Sequence, residues 1–346
     1  MKTENKKKIA IIGVKNTTGD EGGAERHYEG LKNCLKSENV EVDLVLEVSD
    51  ERDINSIKES YLRFYDLDLS SYDGVISLKA PSYVVRHSNH ICWLIHTMRV
   101  FYDMFDREFP NPDRTLLENR KFIQKLDTYA LKSQNIKKIF TNGNEVAERL
   151  IKYNGIESTV LHPGLLFDHF IEGDFEDYLF IPGRVHRWKR LDLLVKAMDF
   201  VSKKSIKLFI AGTGEDEVAL KKLGSKNNNI IFMGKIPEME LIKMYANALA
   251  VPFVPYLEDY GYVTLEAYRS GKPVITCSDS GEPAWFVRQS GGGIVCSPEP
   301  ASIANAIDQL AEDKRKAFLL GSKGRNFVKD IQWPPIAEIL LNILFK

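Results

Sequence analysis

Short apolar runs alternate along the chain with longer stretches in which apolar positions recur every three or four residues. Strand-length and helix-length segments in this alternation predict an α/β protein built on parallel sheets. In the first half the runs at 9–14, 40–46, 74–78, 90–95, 137–141 and 158–161 are expected to be strands. The helix expected after the first of them carries Ala24, His27, Tyr28, Leu31, Cys34 and Leu35 on one face, a clear 3.6-residue period. Turn residues from Leu161-His162-Pro163-Gly164 through Gly173-Asp174-Phe175-Glu176 then interrupt the period and mark a linker. A second series follows, with strands expected at 178–181, 207–211, 230–233, 249–254, 273–277 and 293–296. One helix between them has Leu191, Leu194, Val195, Met198 and Val201 on a face, and another has Leu241, Met244, Tyr245 and Ala248.

The pattern divides the chain into an N-terminal domain over 1–166, a C-terminal domain over 167–328 and a closing helix over 329–346. In that last segment Ile336, Ile339, Leu340, Ile343 and Leu344 share a face, and Pro334-Pro335 suits a helix start. Each domain is expected to be a doubly wound, Rossmann-like α/β layer structure. Ligands of such sheets bind outside the carboxyl ends of the strands, so a cleft between the two halves is the expected place for a site.

Composition narrows the class. At 346 residues, 44% hydrophobic and 27% charged, the chain suits two ordinary globular domains of ~150 residues each. Lys+Arg 47 against Asp+Glu 48 leaves a net charge of -1, so no global field favours nucleic acid or anionic lipid, and any anion must be bound locally. The four cysteines, Cys34, Cys92, Cys277 and Cys296, form no C-x-x-C pair, which argues against a zinc ribbon or redox dithiol and fits a reducing compartment. The apolar run at 9–14 is too short for a signal segment, and no run approaches the ~20 residues of a membrane span. A cytoplasmic protein is expected, with peripheral contact at the inner face of the membrane left open.

Four stretches could carry chemistry. The first strand-to-helix turn, from Gly13 to Gly22-Gly23-Ala24-Glu25-Arg26, is glycine-rich but does not spell G-x-G-x-x-G. Its Gly22-Gly23 either lets backbone amides approach a phosphate at a helix N-terminus or is a flexible loop with a glycine cap. Gly183-Arg184-Val185-His186-Arg187-Trp188-Lys189-Arg190 places four cations after a strand and before a helix. Arg184 could fork onto phosphate oxygens while Lys189 supplies a point charge, against the alternative of a solvated basic loop. Glu258 and Glu266 lie eight positions apart, the first in a loop and the second in the following helix, so they do not share a helix face. A loop carboxylate with the amides of Tyr262, Val263 and Thr264 can hold hydroxyls and phosphate, and Glu266 can accept from a further hydroxyl pair; otherwise both are ordinary acidic surface residues. His96 ends an apolar strand, where it would point into the cleft to orient a sugar or move a proton. His87, His90 and His96 form no helical metal pair and no H-E-x-x-H occurs, so no metal site is expected.

Taken in order, Gly22-Gly23-Ala24-Glu25-Arg26, Gly183-Arg184 with Lys189, Glu258 with Glu266, Ser280-Gly281-Glu282-Pro283 and Gly292-Gly293-Ile294-Val295 resemble the retaining glycosyltransferases of family 4, group 1. Gln332-Trp333 with its helix is similar to that family's closing segment, which crosses back to the N-terminal domain. The resemblance implies the GT-B architecture and a nucleotide-diphosphate sugar donor, UDP- or GDP-linked, with Arg184 and Lys189 on the diphosphate, Glu266 on the ribose and the backbone at Lys235 and Ile236 on the base. Glu258 with Gly261, Tyr262, Val263 and Thr264 would hold the transferred sugar, Gly22 and Gly23 would join the donor site, and His96 would lie near donor sugar and acceptor. Transfer would retain anomeric configuration without metal or cofactor, onto a glycan, lipid-linked or small-molecule acceptor, as in polysaccharide biosynthesis. Tyr260 and Tyr262 depart from the family's usual Phe and aliphatic residue, and the entry to the linker differs too. The alternatives are a nucleotide-sugar epimerase or phosphorylase on the same plan, or a non-catalytic nucleotide-sugar-binding protein.

Overall fold

Six strands, β1 (Lys7–Lys15), β2 (Val40–Val48), β3 (Gly74–Lys79), β4 (His90–His96), β5 (Ile136–Thr141) and β6 (Thr159–Val160), form one sheet in the order β2-β1-β3-β4-β5-β6. Every neighbouring pair is parallel. This is a computed structural model that describes residues 6–15, 22–166 and 169–346, so most of the glycine-rich turn after β1, including Gly19, Asp20 and Glu21, lies outside the described residues. Parallel strands are covered on both faces, and Ile9 to Ile12 and Ile91 to Leu94 are accordingly fully buried. That double burial explains why they read as continuous apolar runs rather than alternating ones.

The chain divides into two units, Met1–Leu166 with Gln332–Lys346 and Phe167–Ile331. In the first, the helix Trp333–Phe345 buries Ile336, Ala337, Leu340 and Leu344 in the same core as Ile9, Ile11, Leu31 and Trp93. The Trp333 indole donates to the Leu165 carbonyl at 3.1 Å and meets the edges of His27 and Trp93. It approaches so closely because Gly30, inside the helix Gly23–Leu35, has no side chain: a Cβ there would lie 2.3 Å from the ring. Alanine favours a helix over glycine by about 1 kcal/mol, but overpacking a filled core costs about 1–3 kcal/mol. Gly30→Ala is therefore expected to lower stability in urea unfolding; a rise would show that Trp333 yields at no cost.

The second unit holds β7 (Tyr178–Pro182), β8 (Lys207–Ala211), β9 (Ile230–Gly234), β10 (Val251–Pro252), β11 (Val274–Cys277) and β12 (Gly293–Cys296). They form two three-stranded parallel ladders, β9-β8-β7 and β10-β11-β12. A parallel bridge between Leu179 and Ala250 joins them, with the Leu249 amide donating to Tyr178 at 2.8 Å and the Phe180 amide to Ala250 at 3.3 Å. The combined order, β9-β8-β7-β10-β11-β12, is that of a dinucleotide-binding sheet, whose direction of winding reverses between its first and fourth strands. Here that switch lies between β7 and β10. The β10 ladder, Val251–Pro252, is shorter than the expected 249–254, although the Phe253 amide beyond it still donates to the Ile275 carbonyl at 2.8 Å.

Candidate functional site

The carboxyl ends of β7 and β10 lead into the two loops that carry most of the candidate residues. After β7, Gly183 (φ 141°) turns the chain against the end of β8. Its amide donates to Ala211 and that of Val185 to Thr213, both at 2.9 Å. The approach requires Gly212 and Gly214, where a Cβ would fall 2.1 Å from the carbonyl oxygens of Gly183 and Val185. Gly212-Thr213-Gly214 is thus part of the scaffold, and its glycine spacing at a strand end was the available sequence signal.

The four cations of this loop have different fates. Arg184 is exposed, with no ion pair among the described residues. The Lys189 ammonium donates to Glu258 Oε1 at 2.7 Å and lies 5.5 Å from the centre of the Phe253 ring. Arg190 is spent on Asp279 and on backbone carbonyls, and Arg187 lies over the Trp188 ring, 5.3 Å from its centre. Lys189 and Arg190 are thus committed within the protein, whereas Arg184 and Arg187 are exposed. His186, between Arg184 and Arg187, is held below the usual imidazole pKa by burial first and by the Arg184 charge second.

Glu258 enters from the other loop, fixed by its own backbone. Its amide donates to Ser280 at 3.1 Å and its carbonyl accepts from the Glu282 amide at 3.0 Å, next to Gly281, whose Cβ would lie 2.6 Å from Glu258 N and O. Gly261 (φ 81°) then starts the helix Tyr262–Arg269; a Cβ there would strike Pro283 and Phe253. The Thr264 amide turns back to the Gly261 carbonyl at 2.9 Å, so of the three amides expected to face a ligand this one is used within the first turn of the helix, of which Tyr262 and Val263 are the first two residues. Glu266, one turn further, is buried rather than a surface residue, and its Oε2 accepts from the Tyr245 hydroxyl at 2.6 Å. Lys235 and Ile236 follow β9, the edge strand of this sheet.

The structure thus brings Lys189 and Glu258 into contact within one sheet's switch region and places Arg184 in the same loop as Lys189. His96, Gly22 and Gly23 belong to the first unit. His96 is the last residue of β4, paired with Lys79 of β3. The Gly22 amide donates to the Glu25 carboxylate at 2.8 Å, a capping interaction that supplies negative charge to the helix start. Among the described residues no group of three or more His, Cys, Asp or Glu could hold a metal, and no helix is long and apolar enough to cross a membrane.

Comparison with known proteins agrees with this layout. Residues 167–327 match the profile of the family described as Glycosyl transferases group 1. An uncharacterized glycosyltransferase of Methanocaldococcus jannaschii is 26% identical over 175 residues, 49% of this chain and 45% of its own length, so the chain spans about half of that curated relative. Among solved structures, sucrose-phosphate synthase from Thermosynechococcus elongatus superposes with a TM-score of 0.77 at 18% identity, covering 98% of both chains. Anabaena HepE in complex with UDP and glucose gives 0.73 at 15% identity, covering 98% of this chain and 99% of its own. The fold is that of GT-B glycosyltransferases, and residues 167–327, nearly all of the second unit, are similar to the glycosyl transferases group 1.

Proposed function

We propose that the protein transfers a sugar, with retention of anomeric configuration and without a metal, from a nucleotide-diphosphate sugar to a saccharide, lipid-linked or small-molecule acceptor. The observation that carries this reading is the Lys189–Glu258 pair at the β7/β10 switch point, beside exposed Arg184. A diphosphate needs fixed positive charge, and a sugar needs a carboxylate that accepts from its hydroxyls; the pair offers both within one contact. Arg184 and Lys189 hold the diphosphate, Glu258 and the amides of Tyr262 and Val263 hold the sugar, Glu266 accepts from the ribose, and the backbone at Lys235 and Ile236 meets the base. His96, in the first unit, serves the donor sugar and the acceptor. UDP and GDP are the favoured nucleotides; the solved complex of HepE holds UDP.

In the chemical step the acceptor oxygen bonds to the anomeric carbon on the face from which the phosphate departs. The sugar–phosphate bond breaks, and the departing phosphate oxygen takes the acceptor proton. Charge accumulates on that phosphate, so cations held in place before the reaction lower the barrier. The test is release of nucleoside diphosphate from UDP-, GDP-, ADP- and dTDP-sugars. One nucleotide is expected to be preferred, and a chelator to leave the rate unchanged. A rate lost to chelation and restored by magnesium would overturn the metal-free assignment.

A further inference from the structure

Among the described residues, two that are not glycine adopt positive φ: Arg190 at 49° and Leu257 at 45°. One follows Lys189 and the other precedes Glu258. Each conformation is one that side chains with a Cβ rarely adopt and that persists only where surrounding contacts over-determine it. Both are held by the same residue. The Asp279 carboxylate receives a two-pronged fork from Arg190, Nη1 to Oδ2 at 2.8 Å and Nη2 to Oδ1 at 2.7 Å. The Asp279 backbone carbonyl accepts the Leu257 amide at 3.0 Å. Arg190 also donates through Nε to Val254 and through Nη2 to Pro255, each at 2.8 Å, so one guanidinium joins the loop after β7 to the loop after β10. A third bond between these two loops runs from the Tyr256 amide to the Trp188 carbonyl at 2.8 Å.

We infer that Arg190 and Asp279 are positioning residues that set the distance between Lys189 and Glu258, and hence the registration of diphosphate against sugar. The inference rests on the proposed role of that pair. The fork itself takes no part in the chemistry: Arg190 is mostly buried and four of its five N–H groups are committed within the protein. Lysine cannot substitute, since a compact ammonium cannot span a carboxylate and two carbonyls in one plane.

The test compares wild type with Arg190→Lys, Arg190→Gly and Asp279→Asn. Glycine relieves the positive φ while removing the fork, and asparagine keeps the backbone carbonyl and volume while removing the charge. The first readout needs no substrate: acylation of Lys189 by an N-hydroxysuccinimide ester, followed by peptide mass spectrometry with Lys221 as internal reference. Loosening the pair is expected to speed Lys189 acylation several-fold in all three variants while Lys221 is unchanged. The second is turnover, expected to fall about 10- to 100-fold in kcat with a smaller change in KM, the double variant Arg190→Lys/Asp279→Asn being no worse than the poorer single one. Unchanged Lys189 reactivity and unchanged kcat in variants that melt as wild type would overturn the inference. A wild type that transfers no sugar but shows the acylation pattern would remove the functional reading and leave the clamp intact. If Asp279→Asn does not fold, the Arg190 variants decide alone.

Discussion

Replacing Glu258 with glutamine is expected to reduce sugar transfer by about 10²–10³-fold, the scale of losing one preorganised electrostatic partner of a transition state, while nucleoside diphosphate binds at least as tightly as before. The direction of the second effect follows from the 2.7 Å contact with Lys189. In the unliganded protein the carboxylate holds the ammonium, and an arriving diphosphate must compete for it. A neutral amide withdraws from that competition, so affinity for the free nucleotide rises or stays level as turnover falls. Parallel loss of both would place Glu258 on the nucleotide instead of the sugar. Kinetics of Glu258→Gln together with calorimetric titration distinguish the two.

The second large effect is acid destabilisation by two buried histidines of the first unit. Burial pushes His27 down to about 3, and burial, with a smaller contribution from His87, does the same to His90. The folded chain therefore takes up these protons only near pH 3, whereas the unfolded chain takes them up near 6.5. Between those values the unfolded state binds more protons, so stability is full above pH 6.5, declines as the pH falls, and the loss is complete below about 3. At pH 5 the cost is about 2 kcal/mol for each histidine, a large share of a typical 5–15 kcal/mol. The Asp177 carboxylate enters later: Lys203 and Lys314 hold it at about 2, so its contribution fades only below the ordinary carboxylate range. Urea unfolding of wild type at pH 7.5 and 5 is expected to differ by about 4 kcal/mol, and the difference to halve in His90→Gln, which can still reach Ser77, the partner of His90 Nε2 at 2.7 Å. A stability independent of pH down to 5 would show that these rings are hydrated or already protonated.

The fold was legible because both sheets are parallel. Strands buried on two faces leave apolar runs such as Ile9 to Ile12, and the runs located the twelve strands of the described residues. What escaped were features settled by partners far apart in the chain. Nothing near Arg190 marks it as structural, because its carboxylate is Asp279 and its carbonyls are Val254 and Pro255. Lys272 is similar: a lysine after Gly271 reads as a surface turn, yet it is buried, with its ammonium on the carbonyls of Gly173 and Asp174 and the Phe175 ring beneath it. Glu25 shows the opposite case. Glu25, three positions after Gly22, reaches back to the Gly22 amide at 2.8 Å, the one half of a capping box that a glycine N-cap allows and that the sequence spacing shows.

The claim that Lys189 belongs to a nucleoside diphosphate site is tested most directly by calorimetric titration of the protein with UDP, GDP, ADP and dTDP, alongside Lys189→Ala. The account predicts selective binding of one nucleotide, weakened in the variant by about 1.5–3 kcal/mol, the worth of a hydrogen bond from a charged group. Binding of equal strength in wild type and variant, or binding of none of the four, would contradict it.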